Sequence, residues 1–181
     1  MKKILIINKK GGCGKSTLVL SLAQILEADI VDMDPQRTLT HAAKVTGKRL
    51  PVKLSEASKK YVIYDTPPHS EDSLYELIKS ADLVLVPVLI GYPDLLATKT
   101  IVNKIKSYNA EKKSCIVYSK VRNPQNRAHR DIKALFSKAF PMIKIAKTEL
   151  SELKSFQEVL AKNLEGKAKA QAHALTDELG L

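Results

Sequence analysis

The stretch "NKKGGCGKST" (residues 8–17) decides how this chain is read. Gly11, Gly12 and Gly14 stand between Lys10 and Lys15, and the hydroxyls of Ser16 and Thr17 follow. Glycine takes positive φ at no steric cost, so such a loop can turn successive N–H groups inward around an anion. Before it runs "KKILIIN", apolar from Ile4 to Ile7. After it, Leu18, Leu22, Ile25 and Leu26 recur at helical spacing within residues 16–27. A loop between a strand and a helix meets the open N–H groups and positive dipole end of that helix. Phosphate is the ligand that all these features share. Lys15 is placed to reach β- and γ-phosphates, and Ser16 to hold Mg²⁺, which takes oxygen ligands and keeps several waters. A plain glycine turn would need neither the lysine nor the hydroxyls. One departure stands out: the usual G-x-x-x-x-G-K-[ST] spacing wants glycine at position 9, and this chain has Lys9.

The chain has 181 residues, 44% of them apolar, which suits one globular domain spanning 1–181. No apolar run approaches a membrane span, and the first strand begins at once, so neither a membrane segment nor a signal peptide is expected. The two cysteines, Cys13 and Cys115, make no metal spacing and no disulfide framework, as in a reducing cytosol. Net charge is +11 and uneven: 14 Lys/Arg against 11 Asp/Glu in residues 1–100, but 16 against 8 in 101–181. A basic excess fits either a polyanionic partner or plain solubility.

Strand-like runs fall at Ile4–Ile7, Ile30–Asp32, Tyr61–Tyr64, Leu83–Val88, Cys115–Tyr118 and Met142–Ile145. Helical patterns fall at 16–27 and at about 39–46, 71–79, 93–108, 126–139, 149–163 and 165–180. Strands alternating with helices predict an α/β fold, a mostly parallel twisted sheet with helices on both faces. Ligands in such sheets bind at the carboxyl ends of the strands, where the glycine loop lies. Two other strands end in acids there. "VDMDPQRT" places Asp32 and Asp34 on the same side if the strand persists, and "VIYDTPPHS" places Asp65 last before a turn. Carboxylates beside a phosphate loop are suited to managing Mg²⁺ and an attacking water. Asp72 and Asp94 precede helical runs and read as helix caps.

In this order, "KKGGCGKST", "VDMDPQRT" and "YDTPP" resemble the deviant Walker A ATPases of the ParA/MinD family, most nearly the small ParA-type partition ATPases. The likeness is strong over about residues 2–95 and holds only in outline beyond. It implies a P-loop NTPase with ATP and Mg²⁺ as cofactors and a weak basal, Mg²⁺-dependent ATPase activity. It makes Lys10 the signature lysine, which acts on the nucleotide of a partner subunit in an ATP-sandwich homodimer. A cation supplied in trans neutralises transition-state charge as an arginine finger does. Lys9 falls at a variable position and takes no such role.

Carried over by position, the resemblance assigns phosphate binding to Gly11, Gly12, Cys13, Gly14 and Lys15, with Thr17 at the α-phosphate. Ser16 coordinates Mg²⁺, with Asp32 and Asp65 acting through waters. Asp34 activates the attacking water, and Gln36 belongs to the first switch loop. The segments Arg122–Gln125, with Arg122 and Asn123, and Pro87–Pro93 border the adenine. As partners it implies non-specific double-stranded DNA and a centromere-binding adaptor that stimulates hydrolysis, with no membrane, in the cytoplasm on the nucleoid. A relative that positions a non-DNA cargo, or a cluster carrier of reductase type, are the alternatives. The second would need interface cysteines in cluster spacing.

Two C-terminal helices bear on these partners. On 126–139, Ala128, Ile132, Leu135, Phe136 and Ala139 gather on one side and Arg127, Arg130, Lys133 and Lys138 on the other. The basic face is a candidate for the DNA backbone, without base readout because no stacking aromatics accompany it. The last helix carries a stripe of Ala168, Ala172, Leu175 and Leu179, with Asp177 and Glu178 nearby. Small residues and acids predict packing onto the domain or a partner, not onto anionic lipid.

Overall fold

The computed structural model describes residues 1–34, 37–46, 51–67 and 74–181, with only the backbone of Thr38 and Ala42. Gln36, Asp72 and the start of the helix expected at 71–79 lie outside the described residues. The strands are β1 (Lys2–Ile6), β2 (Asp29–Asp32), β3 (Tyr61–Asp65), β4 (Leu83–Val88), β5 (Ser114–Tyr118) and β6 (Lys144–Ile145). The helices are α1 (Lys15–Leu26), α2 (Thr38–Thr46), α3 (Leu74–Ser80), α4 (Tyr92–Ser107), α5 (Arg127–Ala139), α6 (Lys154–Gln157) and α7 (Gly166–Leu179).

The strands form one sheet in the order β2-β3-β1-β4-β5-β6, and every neighbouring pair is parallel. Parallel neighbours require crossovers, and the helices supply them on both faces. Alternation along β1 divides the core. Ile4 and Ile6 join Leu18, Leu22, Phe156, Ala168, Ala172 and Leu175 on one face. Leu5 and Ile7 join Ile78, Ile101, Ile105 and Phe136 on the other. Strands buried on both faces therefore read as continuous apolar runs. Pro87 is tolerated inside β4 because the β1 register ends at Ile6–Leu85, where β1 leaves the sheet.

Two expected elements differ. Residues 149–163 are helical in pattern, yet only α6 forms there. Leu150 N–H donates to the Tyr118 carbonyl (2.9 Å), and Glu152 N–H to that of Val121 (2.9 Å). The chain stays extended because it continues the pairing beside β5, and those bonds outweigh local periodicity. The strand expected at Met142–Ile145 is only Lys144–Ile145, since Phe140–Ile143 closes a turn. The last helix packs as its small residues predict, with Ala168, Ala172 and Leu175 buried. Its Glu178 also accepts the N–H groups of Lys147 (2.8 Å) and Thr148 (2.9 Å). No helix of the described residues is long and apolar enough to cross a membrane.

Candidate nucleotide-binding site

The glycine loop lies at the carboxyl end of β1 and opens α1. Gly12 (φ 72°) and Gly14 (φ 92°) are left-handed, so glycine is required at both. Gly14 caps α1, and among the described residues no side chain caps the helix start. The first N–H groups of α1 are thus available to an anion. Lys15 is buried, and its Nζ donates to the Lys10 carbonyl at 3.3 Å, which folds the ammonium across the loop.

Side chains from other strand ends hold this loop. Asn8, buried, donates through Nδ2 to the Pro87 carbonyl (2.8 Å) and accepts the Lys10 N–H on Oδ1 (3.0 Å). Ser119, just beyond β5, donates to the Cys13 carbonyl (2.7 Å). Thr66 donates to the Ile6 carbonyl (2.8 Å), tying the end of β3 to that of β1. None of the three was singled out from the sequence. A polar residue that ends an apolar run three positions before the first glycine is the signal that could have found Asn8.

Asp65 is the electrostatic centre of the site. It is 4% exposed at the end of β3, beside Asp32 in the β2–β3 register. The Ser16 hydroxyl donates to its Oδ2 at 2.9 Å. Its Oδ1 is buried with no hydrogen-bond partner among the described residues. Burial pushes its carboxyl up to about 6; the Ser16 bond lowers it in part and the Asp32 charge raises it further. A buried, orphaned carboxylate oxygen beside a hydroxyl fits a hydrated Mg²⁺, whose waters would donate to it.

Asp32 is brought to the same place but is otherwise engaged. Its Oδ1 accepts the Asp34 N–H (3.1 Å), and its Oδ2 accepts the N–H (3.2 Å) and hydroxyl (2.9 Å) of Thr40. Asp34 follows β2, and its carbonyl accepts the N–H of Arg37 (2.8 Å), itself left-handed at φ 48°. Among the described residues no cluster of three or more His, Cys, Asp or Glu forms a protein-only metal cage.

Asp94 is not the helix cap expected from sequence. It sits within the first turn of α4, buried, and accepts Lys10 Nζ at 2.7 Å. Gly91 leaves it room, since a Cβ there would lie 3.0 Å from Asp94 Oδ2. The lysine that distinguishes the loop is therefore held at the loop's edge by a buried acid.

A cavity of about 260 Å³ opens beside the loop, lined by Gly14, Thr17, Ser119, Lys120, Leu150–Leu153 and Phe156. Arg122 and Asn123, expected near adenine, line a neighbouring cleft, and Arg122 pairs with Glu152, a residue that lines both spaces. On α5, Arg127 and Arg130 are exposed and so is Lys138. Lys133 departs from that face: its ammonium pairs with Glu149, which His129 Nε2 also approaches at 3.1 Å, and lies 5.6 Å from the Tyr118 ring centroid.

Residues 4–165 match the CobQ/CobB/MinD/ParA nucleotide binding domain. The chain belongs to that family. A search of curated proteins returned no match. Among solved structures the chain resembles a plasmid partition protein of Borrelia burgdorferi bound to AMPPNP. The TM-score is 0.76 at 16% identity, over 98% of this chain and 97% of that one. It also resembles a McdA variant of Cyanothece in complex with ATP (TM-score 0.74, 17% identity, 100% and 97% of the two chains). MinD of Aquifex aeolicus, a cell division protein, superposes with TM-score 0.71 at 14% identity over 98% of each chain. At these identities the likeness is one of fold: the all-parallel, helix-flanked P-loop architecture of ParA and MinD.

Proposed function

We propose that this member of the family is a Mg²⁺-dependent ATPase that pairs with a second copy over ATP and so partitions DNA. The observation that carries the reading is Lys10. Its ammonium is held on Asp94 at the loop's edge, while Lys15 already serves the loop itself. A second cation there is spare for its own nucleotide and available to a partner's. In this reading phosphates lie on Gly11–Thr17 and the base enters the cavity walled by Leu150–Phe156. Ser16 and Asp65 hold Mg²⁺, with Asp32 beside them. Bound Mg²⁺ would neutralise charge developing on the phosphates. Asp34 orients the attacking water.

DNA is met through the exposed Arg127, Arg130 and Lys138 as a non-specific backbone contact, and a centromere-bound adaptor stimulates hydrolysis on the nucleoid. A cargo other than DNA would use the same cycle. A metal-cluster carrier would not: Cys13 and Cys115 are buried and burial raises both thiols, that of Cys115 to about 11.

Two variants separate the steps. Asp34→Ala keeps its phosphate contacts and should accumulate as an ATP-bound dimer, with hydrolysis reduced at least about a hundredfold. Lys10→Ala should bind ATP normally yet dimerise about tenfold less tightly or worse. Light scattering with and without ATP reads both. A monomeric Asp34→Ala, or a Lys10→Ala that dimerises like the parent, sinks the trans-acting role.

Duplex binding is tested by mobility shift on unrelated sequences at two salt concentrations. ATP-loaded protein should bind all of them alike and far more tightly than ADP-loaded protein, because a dimer presents two basic faces at once. Reversing Arg127 and Arg130 to Glu should weaken every complex by about tenfold or more and flatten the salt dependence. Unaltered binding by that variant would remove α5 from the DNA contact.

A further inference from the structure

Of the glycines in the phosphate loop, Gly14 is the crowded one. A Cβ there would lie 3.4 Å from Ser119 Oγ and 3.5 Å from its Cβ, whereas one at Gly11 or Gly12 would meet nothing within 4 Å. Ser119 is buried and is itself fixed, because its N–H donates to the Val88 carbonyl at 2.9 Å. Its hydroxyl has a single proton and two carbonyls in reach, that of Cys13 at 2.7 Å and that of Val88 at 3.2 Å. The proton goes to Cys13, which is nearer, while Val88 already has the N–H. In the sheet order β1-β4-β5, the serine therefore reaches from the end of β5 across that of β4 to the loop after β1.

We propose that Ser119 is a positioning residue for phosphate: it locks the Cys13–Gly14 peptide with its N–H turned to the anion. The inference rests on the phosphate-loop reading and adds what holds the loop's donors in place. A trans peptide is planar and points its N–H opposite its carbonyl, so pinning the carbonyl to Ser119 fixes where the N–H is aimed. The loop has no such lock of its own. Turning this peptide over would take Gly14 from φ 92° to the negative region, which glycine occupies about as readily. The turned loop would offer the phosphates a carbonyl oxygen in place of a donor. The buried Cys13 side chain anchors its own Cα but not the plane of the peptide beyond it. The other end of the loop is held in the same manner, with Asn8 Oδ1 accepting the Lys10 N–H at 3.0 Å. Donors fixed in advance spare the ligand the cost of ordering them.

Calorimetric titration with Mg²⁺-ATP and with Mg²⁺-pyrophosphate reads the effect. Ser119→Ala should bind both about tenfold less tightly, because the loss acts on phosphate and not on the base. Ser119→Thr keeps the hydroxyl and should restore both affinities. Ser119→Cys fills the same space with a weak donor and should not, which separates the hydrogen bond from packing. The peptide itself can be watched. Cys13–Gly14 is the one Cys-Gly step in the chain, so ¹³C′-cysteine with ¹⁵N-glycine labelling isolates its amide signal. In the nucleotide-free chain that signal should shift or broaden in Ser119→Ala and keep its place in Ser119→Thr. Weakened ATP with unchanged pyrophosphate would put Ser119 at the base or ribose and overturn the inference. So would wild-type affinity for both ligands in Ser119→Ala, a loss that Ser119→Thr fails to restore, or an unmoved Cys13–Gly14 signal. A wild-type chain that binds neither ligand would remove the phosphate-site reading together with this one.

Discussion

The Lys15→Ala variant is expected to lose ATP affinity by about a hundredfold. Lys15 is 9% exposed, and its ammonium already lies across the loop, 3.3 Å from the Lys10 carbonyl. Hydrogen bonds to a charged group contribute about 1.5–3 kcal/mol, and every 1.4 kcal/mol is tenfold in affinity. The upper figure applies because the loop replaces water around the phosphates with fixed donors. Alanine at the first position of α1 favours the helix, so folding should be intact. Lys15→Met keeps the stem without the charge and should lose as much. Calorimetric titration with ATP, with a urea unfolding curve as control, reads the effect. Wild-type affinity in either variant would remove the phosphate site from this loop.

Much of that site is legible in the chain because its chemistry is local. The glycines, Lys15 and Ser16 lie within six residues, and the backbone demand at Gly12 and Gly14 follows from the turn itself. The carboxylates were reached by a second rule, that acids ending parallel strands face a loop ending another. In the fold Asp65 stands beside Ser16 and accepts its hydroxyl. What stayed hidden is non-local. Asp94 looks like a cap because it stands in a first helical turn. Only the packing of α4 against the loop turns it toward Lys10, 84 residues away. Ser119 is likewise an ordinary serine until β5 places it under Cys13. Lys133 has the right helical angle for the basic face, and Glu149, outside that helix, draws it away. The Arg122–Glu152 pair, 30 residues apart, is equally invisible in the sequence. The same physics accounts for the missing helix at 149–163, where edge pairing to the β5 extension outweighs periodicity. The α/β alternation, by contrast, survives intact, since long apolar runs buried on both faces admit few other arrangements.

Asp65 makes the sharpest prediction, because one substitution should stabilise the chain and disable it together. Its carboxyl is pushed up to about 6 in the folded chain, chiefly by burial, from an ordinary value of 3.8. The folded nucleotide-free chain therefore binds a proton that the unfolded chain has released between those values. Stability from this group is fully present below 3.8, falls as pH rises through the interval, and is lost above about 6. About two pK units correspond to at most about 3 kcal/mol carried as a penalty at neutral pH. Asp65→Asn has no charge to bury. At pH 7.5 the nucleotide-free variant should be more stable than wild type to urea by up to about that amount, and at pH 4 the gap should close. Mg²⁺ has the opposite requirement, since it needs the carboxylate. In wild type, Mg²⁺ affinity in the presence of ATP should fall about tenfold per pH unit below about 6. In Asp65→Asn it should be weak at every pH, and hydrolysis should go with it. Urea midpoints at the two pH values and Mg²⁺ titrations with ATP are independent readouts. A variant less stable than wild type at pH 7.5 would mean that Asp65 is a structural anchor. A variant with undiminished Mg²⁺ affinity would take the ion away from the end of β3. If both hold as expected, the chain keeps a strained, desolvated carboxylate at the cost of its own stability because the nucleotide cycle needs it charged.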